Sequence, residues 1–257
     1  MSLDTSFDIK NIICSYFDDL KDTINLYNLN KDHNDNIIIA DLYYIEWKYL
    51  KRLNQQIIEQ KKYRYVEKLY ASNNKQIENV NHMKNTLKKL NCSYDSTIDQ
   101  NGITELNLVE LNANGNKKIK NVNHMKNTLK ILSCNRNCGI DQNGILELNL
   151  TKLYAHNNEK IKNVNHMKNT LKILSCSYDC GIDQNGILEL NLIELWTESN
   201  KNIKNVNHMK RTLKILYCGW DCGIDQNGIS ELNLIELYAP GNEKIKRESY
   251  IKYNKIL

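Results

Sequence analysis

A chain of 257 residues with a net charge of +5 can hold one large core or two domains, and its basic balance raises the question of a nucleic-acid partner. The opening MSLDTSFDIK is acidic and has no apolar core, so no secretory leader is expected. No apolar run approaches the ~20 residues that a membrane span needs, and the expectation is a soluble, intracellular protein.

Residues 1 to 40 place apolar side chains at Ile9, Ile12, Ile13, Tyr16, Phe17, Leu20, Ile24 and Leu29. That spacing predicts two or three short amphipathic helices, with Asp8 as a cap for the first and Asp18-Asp19 as a break. The run Ser15-Tyr16-Phe17-Asp18-Asp19-Leu20-Lys21-Asp22, followed by Asn25-Leu26 and Asn30-Lys31, resembles the F-box motif over Ser6 to Asn34. The motif is a helical module that docks on the Skp1-type adaptor of cullin ubiquitin ligases. The resemblance implies an adaptor contact through Ile13, Tyr16, Leu20 and Ile24. The segment lacks the usual Leu-Pro opening and closing aromatic pattern of that motif, and read without the resemblance it is a helical cap on the first coil of a repeat array. Residues 36 to 65 are dense in apolar side chains (Ile39, Leu42, Tyr43, Ile45, Trp47, Leu50, Ile57, Ile58) and are predicted to be helical. The stretch 41–65 would shield the open end of a stacked array, which otherwise exposes core and strand edge.

From Val66 onward the chain keeps a beat of 21 residues, doubled into near-identical copies of 42 from Leu87, Leu129, Leu171 and Leu213. Counting the opening residue as position 0, leucine recurs at 87, 108, 129, 150, 171, 192, 213 and 234, with Val66 as a ninth opening. Positions 3 and 5 are apolar or small in these units (Leu90 and Cys92, Leu111 and Ala113, Leu174 and Cys176), the period-two signature of a strand with one buried face. Position 8 is always Asn or Asp, able to bond its own turn and the coil beside it. Position 11 is always Ile. The second half of the unit alternates between two forms, one with Val and Met (Val122, Met125) and one with an Asp-Gln-Asn-Gly run, a turn signal because Gly accepts positive φ, followed by Ile and Leu (Gly144, Ile145, Leu148). A single unit cannot bury its own leucine row, whereas stacked units share one core.

These residues resemble the leucine-rich repeat family, with Ala or Cys where a third Leu is usual and a short unit. The resemblance implies an α/β solenoid, a horseshoe of nine 21-residue units with parallel strands on the concave face and short return segments outside, over 66–257. The Asn/Lys/Ile-rich style and tandem 42-residue duplication resemble the leucine-rich repeat proteins of amoebal giant viruses such as mimivirus, which would place the chain in host cytoplasm or in a virion.

The repeat also disposes of the charge. Position 18 alternates Lys and Glu from Lys84 to Lys252, and position 12 alternates Asp and Lys from Asp99 to Lys246. Stacked strands lie about 4.8 Å apart, so two ion-pair ladders are predicted along the outside. A charge spent this way is poor evidence for phosphate binding, and nucleic acid is not the expected partner. Cys92, Cys134, Cys176 and Cys218 share position 5, and Cys138, Cys180 and Cys222 share position 9. Equivalent residues two coils apart are about 9–10 Å from one another, beyond the ~7 Å reach of a disulfide and the geometry of a shared zinc. They read as reduced core thiols, and the row His82, His124, His166 and His208 reads as packing or hydrogen bonding. No metal, no cofactor and no catalytic set is expected.

Comparison among units isolates what varies. Positions 2, 4, 6 and 7 are predicted to face outward. In the C-terminal half they present Tyr154, Tyr178, Trp196, Tyr217, Trp220 and Tyr238, with Glu194 and Glu236 beside them. Tyr and Trp dominate interface hot spots because they offer much contact area for few rotatable bonds. The expected function is therefore non-catalytic protein binding on the concave face, with substrate adaptation to a ubiquitin ligase through the N-terminal helices. A structural or virion-associated repeat with no ligase link is the alternative.

Overall fold

The computed structural model describes residues 41–42 and 52–246. The chain divides into two compact units, residues 1–111 and 112–257. Ten short strands follow one another: β1 (Asp41–Leu42), β2 (Lys68–Tyr70), β3 (Lys89–Asn91), β4 (Glu110–Asn112), β5 (Ile131–Ser133), β6 (Lys152–Tyr154), β7 (Ile173–Ser175), β8 (Glu194–Trp196), β9 (Ile215–Tyr217) and β10 (Glu236–Tyr238). In the first unit β1 pairs with β2 and β2 with β3, all parallel. In the second unit β5 to β10 pair in chain order, again parallel, with Leu132, Leu153, Leu174, Leu195, Leu216 and Leu237 in register. Between strands the chain returns through single turns of 3-10 helix, such as Asn165–Met167 and Asn185–Ile187. The result in each unit is a solenoid-like stack of coils.

The apolar rows form the core. In the coil from Leu171, residues Leu171, Leu174, Cys176, Ile182, Ile187 and Leu190 are buried, and in the coil from Leu150 so are Leu150, Leu153, Ala155, Ile161, Val164 and Met167. The two forms of the second half therefore bury equivalent anchors, Val and Met in one and Ile and Leu in the other.

The expected helical cap is only partly described. Asp41–Leu42 is a strand in register with Lys68–Leu69, so the array begins one strand before the first recognisable repeat. Lys68 pairs with Asp41 at 2.9 Å, and Leu42 is buried. Its spacing of 27 residues from Leu69 breaks the beat, which is why the periodicity does not include it. Beyond it lies one helical turn, α1 (Gln55–Ile58), capped by the Asn54 side chain, with Ile58 buried. Ile13, Tyr16, Leu20 and Ile24 lie outside the described residues.

The turns correct three sequence expectations. The first concerns position 8. Asn158 is buried; its amide nitrogen donates to the carbonyls of Cys134 (2.8 Å) and Ile140 (3.2 Å) in the preceding coil, and its oxygen accepts from the Lys160 backbone. Asn200 and Asn242 repeat the pattern. Asn137, Asp179 and Asp221 instead face solvent, and the inward place is taken by the cysteine that follows each of them. Cys138 Sγ donates to the Cys134 carbonyl at 3.1 Å, the same carbonyl that Asn158 reaches from the next coil. One cysteine turn and one asparagine turn share their acceptors, so the cooperating element is a pair of coils. That is a physical reason for duplication at 42 residues.

The second correction concerns glycine. Gly144, Gly186 and Gly228 of the Asp-Gln-Asn-Gly turns are not needed for a left-handed backbone. A Cβ on Gly186 would lie 2.1 Å from the Lys162 carbonyl of the preceding coil, and on Gly144 2.1 Å from that of Lys120. The glycine lets coils touch. The left-handed backbone occurs at position 7, in all nine units: Asn73, Tyr94, Gly115, Arg136, Asn157, Tyr178, Ser199, Trp220 and Gly241. Gly and Asn adopt it readily; Tyr, Arg and Trp do so at a cost of about 1–2 kcal/mol each.

The third concerns the outer charge rows. Position 18 forms pairs, with Lys84–Glu105, Lys126–Glu147, Lys168–Glu189 and Lys210–Glu231 at 2.5 to 2.6 Å. Glu147 and Lys168 make no such contact, so the row is a series of dimers and not a continuous ladder. Such half-exposed pairs contribute about 0–1 kcal/mol each. Position 12 forms no ladder among Asp141, Lys162, Asp183, Lys204 and Asp225. Each aspartate turns back to accept from the glycine N–H three residues on, at 2.8 to 3.0 Å. The coils are joined there by amides. Gln184 accepts from the backbone of Lys204 and Asn205 and donates to the Asn205 carbonyl; Asn165 donates to the Asn185 carbonyl and accepts from Glu189.

The histidine row is hydrogen-bonded, as expected. Nε2 of His166 donates to the Ile145 carbonyl and that of His208 to Ile187, both at 3.1 Å. Burial lowers the pKa of both rings, against the smaller opposing effect of that bond. A folded-state pKa below the unfolded value, about 6.5, means that stability is complete above that value and declines as pH falls below it. Thermal melts are expected to give a lower Tm at pH 5.5 than at pH 7.5, with the drop reduced in a His166→Gln/His208→Gln variant.

Candidate functional site

Strands of three residues leave position 2 half-exposed on one side of a buried leucine and position 4 half-exposed on the other at Tyr154, Trp196 and Tyr217, while Ser175 is buried. Parallel register then lines up equivalent side chains along each unit. In the second unit position 4 reads Ser133, Tyr154, Ser175, Trp196, Tyr217 and Tyr238 across β5 to β10. The last three aromatics meet. Trp196 and Tyr217 stack with centroids 4.1 Å apart and planes 20° from parallel, and Tyr217 meets Tyr238 at 5.7 Å and 56°. One pair is stacked and the other tilted, and ring pairs at such separations add to what their burial contributes. Tyr238 is 49% exposed. Tyr154 stands apart, separated from Trp196 by Ser175.

Position 2 runs Ile131, Lys152, Ile173, Glu194, Ile215 and Glu236. Its carboxylates lie against the rings. Trp196 Nε1 donates to Glu194, and the Tyr217 hydroxyl donates to Glu236 at 2.6 Å. The bond to Glu236, then burial, then the negative charges of Glu236, Glu194 and Glu198 push the Tyr217 phenol up to about 12. These bonds fix the ring planes, so the surface is organised before any partner arrives.

Tyr178 and Trp220 do not join this row. They sit at the left-handed position 7, are about half exposed, and are separated by Ser199 of the intervening coil. Tyr178 meets the His156 ring edge-on at 6.3 Å. Trp220 donates its backbone N–H to the Pro240 carbonyl and lies against Gly241. Position 6 does not face outward as expected. Ser177 and Glu198 are buried there, with the Ser177 hydroxyl donating to the Glu198 carboxylate, and in the first unit Ser93 bonds Ser72 in the same way. The sequence signal for this was the small polar residues at position 6 of the first four units, Ser72, Ser93, Asn114 and Asn135, which an outward strand face does not require. His156 and Glu198 break that pattern and gave no such signal.

The seven described cysteines are buried, and none of them is in a disulfide. Burial pushes the Cys176 thiol up. In the pair Cys218 and Cys222 a hydrogen bond between the thiols raises the first and brings Cys222 down to about 7. Among the described residues no group of three or more His, Cys, Asp or Glu side chains is placed to hold a metal ion, and no helix is long and apolar enough to cross a membrane.

The fold and this face define a parallel-strand repeat protein with a solenoid-like stack and a preorganised aromatic surface. No protein-family model matches the sequence, and no curated protein matches it.

Proposed function

We propose that the chain is a non-catalytic protein-binding protein of leucine-rich repeat type, and that the strand face of β6 to β10 is its binding surface. The observation that carries this reading is the ring run Trp196–Tyr217–Tyr238, held by hydrogen bonds to Glu194 and Glu236 while one flank stays open. The polar rows at positions 8, 12 and 18 are consumed in forming turns and joining coils, whereas these rings join nothing that the core requires. Exposed aromatics in a preformed array mark recognition surfaces. The buried asparagines that bond carbonyls of the coil before them support the repeat type.

Coupling of a bound protein to a host cullin-type ubiquitin ligase is the second half of the proposal. It rests on the F-box resemblance of Ser6 to Asn34, and its contacts would be Ile13, Tyr16, Leu20 and Ile24. A pull-down with a Skp1-type adaptor is expected to succeed with the full chain and to fail with Leu20→Ala/Ile24→Ala. Retention by that variant would sink the ligase link.

The binding half is tested with a photo-crosslinker at position 238 and another at position 188, which lies in a return segment. Crosslinked protein is expected from 238 and not from 188. A Trp196→Ala/Tyr217→Ala variant with an unchanged melting curve is expected to lose it at least tenfold, since hot-spot truncations cost about 2 kcal/mol or more. Equal crosslinking at both positions, or none at either, would leave the chain a structural spacer.

A further inference from the structure

The charges of position 2 are paired differently in the two units. In the first unit each charge of this row meets its opposite on the next strand: Lys68 pairs with Asp41 and Lys89 with Glu110, both at 2.9 Å. In the second unit the partners are missing. Glu194 lies between Ile173 and Ile215 in register, and Glu236 beside Ile215. Neither carboxylate enters an ion pair among the described residues. Each accepts one bond from a neutral ring donor, Trp196 Nε1 or the Tyr217 hydroxyl. A third carboxylate, Glu198, lies under the same coil, bonded to Ser177. The nearest cation of the row is Lys152, two strands before Glu194.

We propose that the occupant of this face is a basic protein segment whose arginine or lysine side chains lie against Trp196, Tyr217 and Tyr238 and pair with Glu194 and Glu236. The proposal rests on the reading of this face as a protein-binding surface and names the chemistry of its partner. The π faces of Trp and Tyr attract cations, and guanidinium groups most readily because they also stack and are weakly hydrated. Carboxylates at the ring edges supply the acceptors that such a guanidinium needs. The Tyr217 phenol is raised first by its bond to Glu236 and by burial, with the charges of Glu236, Glu194 and Glu198 adding to these. The net charge of +5 does not oppose docking at contact distance, because exposed charges farther than about 8 Å are screened at physiological salt.

Geometry narrows the ligand further. Glu194 and Glu236 are two strands apart, about 10 Å by strand spacing, with apolar Ile215 between them. A segment in the polyproline II conformation crossing the strands covers that distance in one turn of three residues at about 3.1 Å each, which returns the side chain to the same face. Two basic residues three apart in such a turn match both carboxylates.

The test uses the full chain and fluorescein-labelled decapeptides, with polarisation as the readout. One peptide carries arginines three apart flanking a leucine, and its counterpart carries glutamates instead. The arginine peptide is expected to bind, with affinity falling at 0.5 M NaCl, and the glutamate peptide is not. Glu194→Gln/Glu236→Gln keeps an acceptor for each ring donor but removes the charge, and is expected to weaken binding about tenfold or more; Trp196→Ala is expected to weaken it similarly. No binding of the arginine peptide, equal binding of both peptides, or indifference to the glutamine variant would overturn the assignment. If crosslinking at position 238 persists in that event, the face binds a partner of other chemistry and only this inference fails. If crosslinking is absent as well, the broader reading has failed with it.

Discussion

Gly186→Ala is expected to lower the stability of the folded chain by about 3 kcal/mol, the upper end of the usual cost of overpacking. The added methyl would sit 2.1 Å from the Lys162 carbonyl oxygen and 3.2 Å from its carbon, and both are backbone. No flexible side chain can yield, so the coils must part. Parting them also breaks the bond from the Val164 N–H to the Gly186 carbonyl, 3.0 Å. Urea unfolding followed by circular dichroism measures the loss as a fall in midpoint. Leu188→Ala, two residues away and 51% exposed, is the control and should stay within about 0.5 kcal/mol. Because each coil in a solenoid touches only its neighbours, a fall in slope alongside the midpoint would show the array separating at that coil. A midpoint equal to wild type would mean that the return segments do not approach one another this closely.

The second large effect is expected from Asn200→Ala. Asn200 is 1% exposed; it donates to the carbonyls of Cys176 (2.8 Å) and Ile182 (3.1 Å) and accepts from the Asn202 N–H (2.9 Å). Alanine leaves three backbone groups without this partner, and an unsatisfied buried group costs about 1–3 kcal/mol. A total loss of about 3 kcal/mol is expected in the same urea experiment. Asn200→Asp is expected to be worse at pH 7. A carboxylate can still accept from Asn202 but offers only acceptors to the two carbonyls. Protonation supplies a donor, so the folded state would raise this carboxyl's pKa, and the aspartate variant should regain stability as pH is lowered towards 5. Asp179→Ala, at the same repeat position but exposed, should have little effect. Equal losses at 179 and 200 would refute the division of labour between cysteine and asparagine turns.

That division shows where sequence reasoning stops. The leucine and isoleucine rows were legible because burial selects them at every coil, and a period of 21 survives any single substitution. Position 8 looked uniform, since Asn and Asp are alike in turn propensity. Whether such a residue points in or out depends on its neighbour: Cys138, Cys180 and Cys222 fill the place that Asn158, Asn200 and Asn242 fill in the alternate coils. The aspartates of position 12 misled in the opposite sense. Their alternation with lysine is real, but an amide N–H three residues away competes with an ammonium one coil away, and the local bond wins because it costs less side-chain entropy.

The candidate face was half legible. Trp196, Tyr217, Tyr238, Glu194 and Glu236 were selected as variable outward residues, and the parallel register brings them together. Tyr178 and Trp220 were selected by the same rule, yet they belong to a left-handed turn beside the strand. A bulky aromatic gives no sign in sequence that its backbone is left-handed; Gly115 and Gly241 at the equivalent position were the available clue.

What the sequence determined by itself is the unit: a coil with one apolar side, repeated with its anchors in phase, which can bury that side only against a copy of itself. Tertiary structure alone decided how copies are joined, because the joints are bonds between residues 18 to 24 apart whose partners depend on which way each turn folds. It also decided which strand charges are neutralised and which are not. Lys89 finds Glu110 while the register partners of Glu194 on the neighbouring strands are isoleucines, and that contrast follows from register across strands, a property that no single repeat contains.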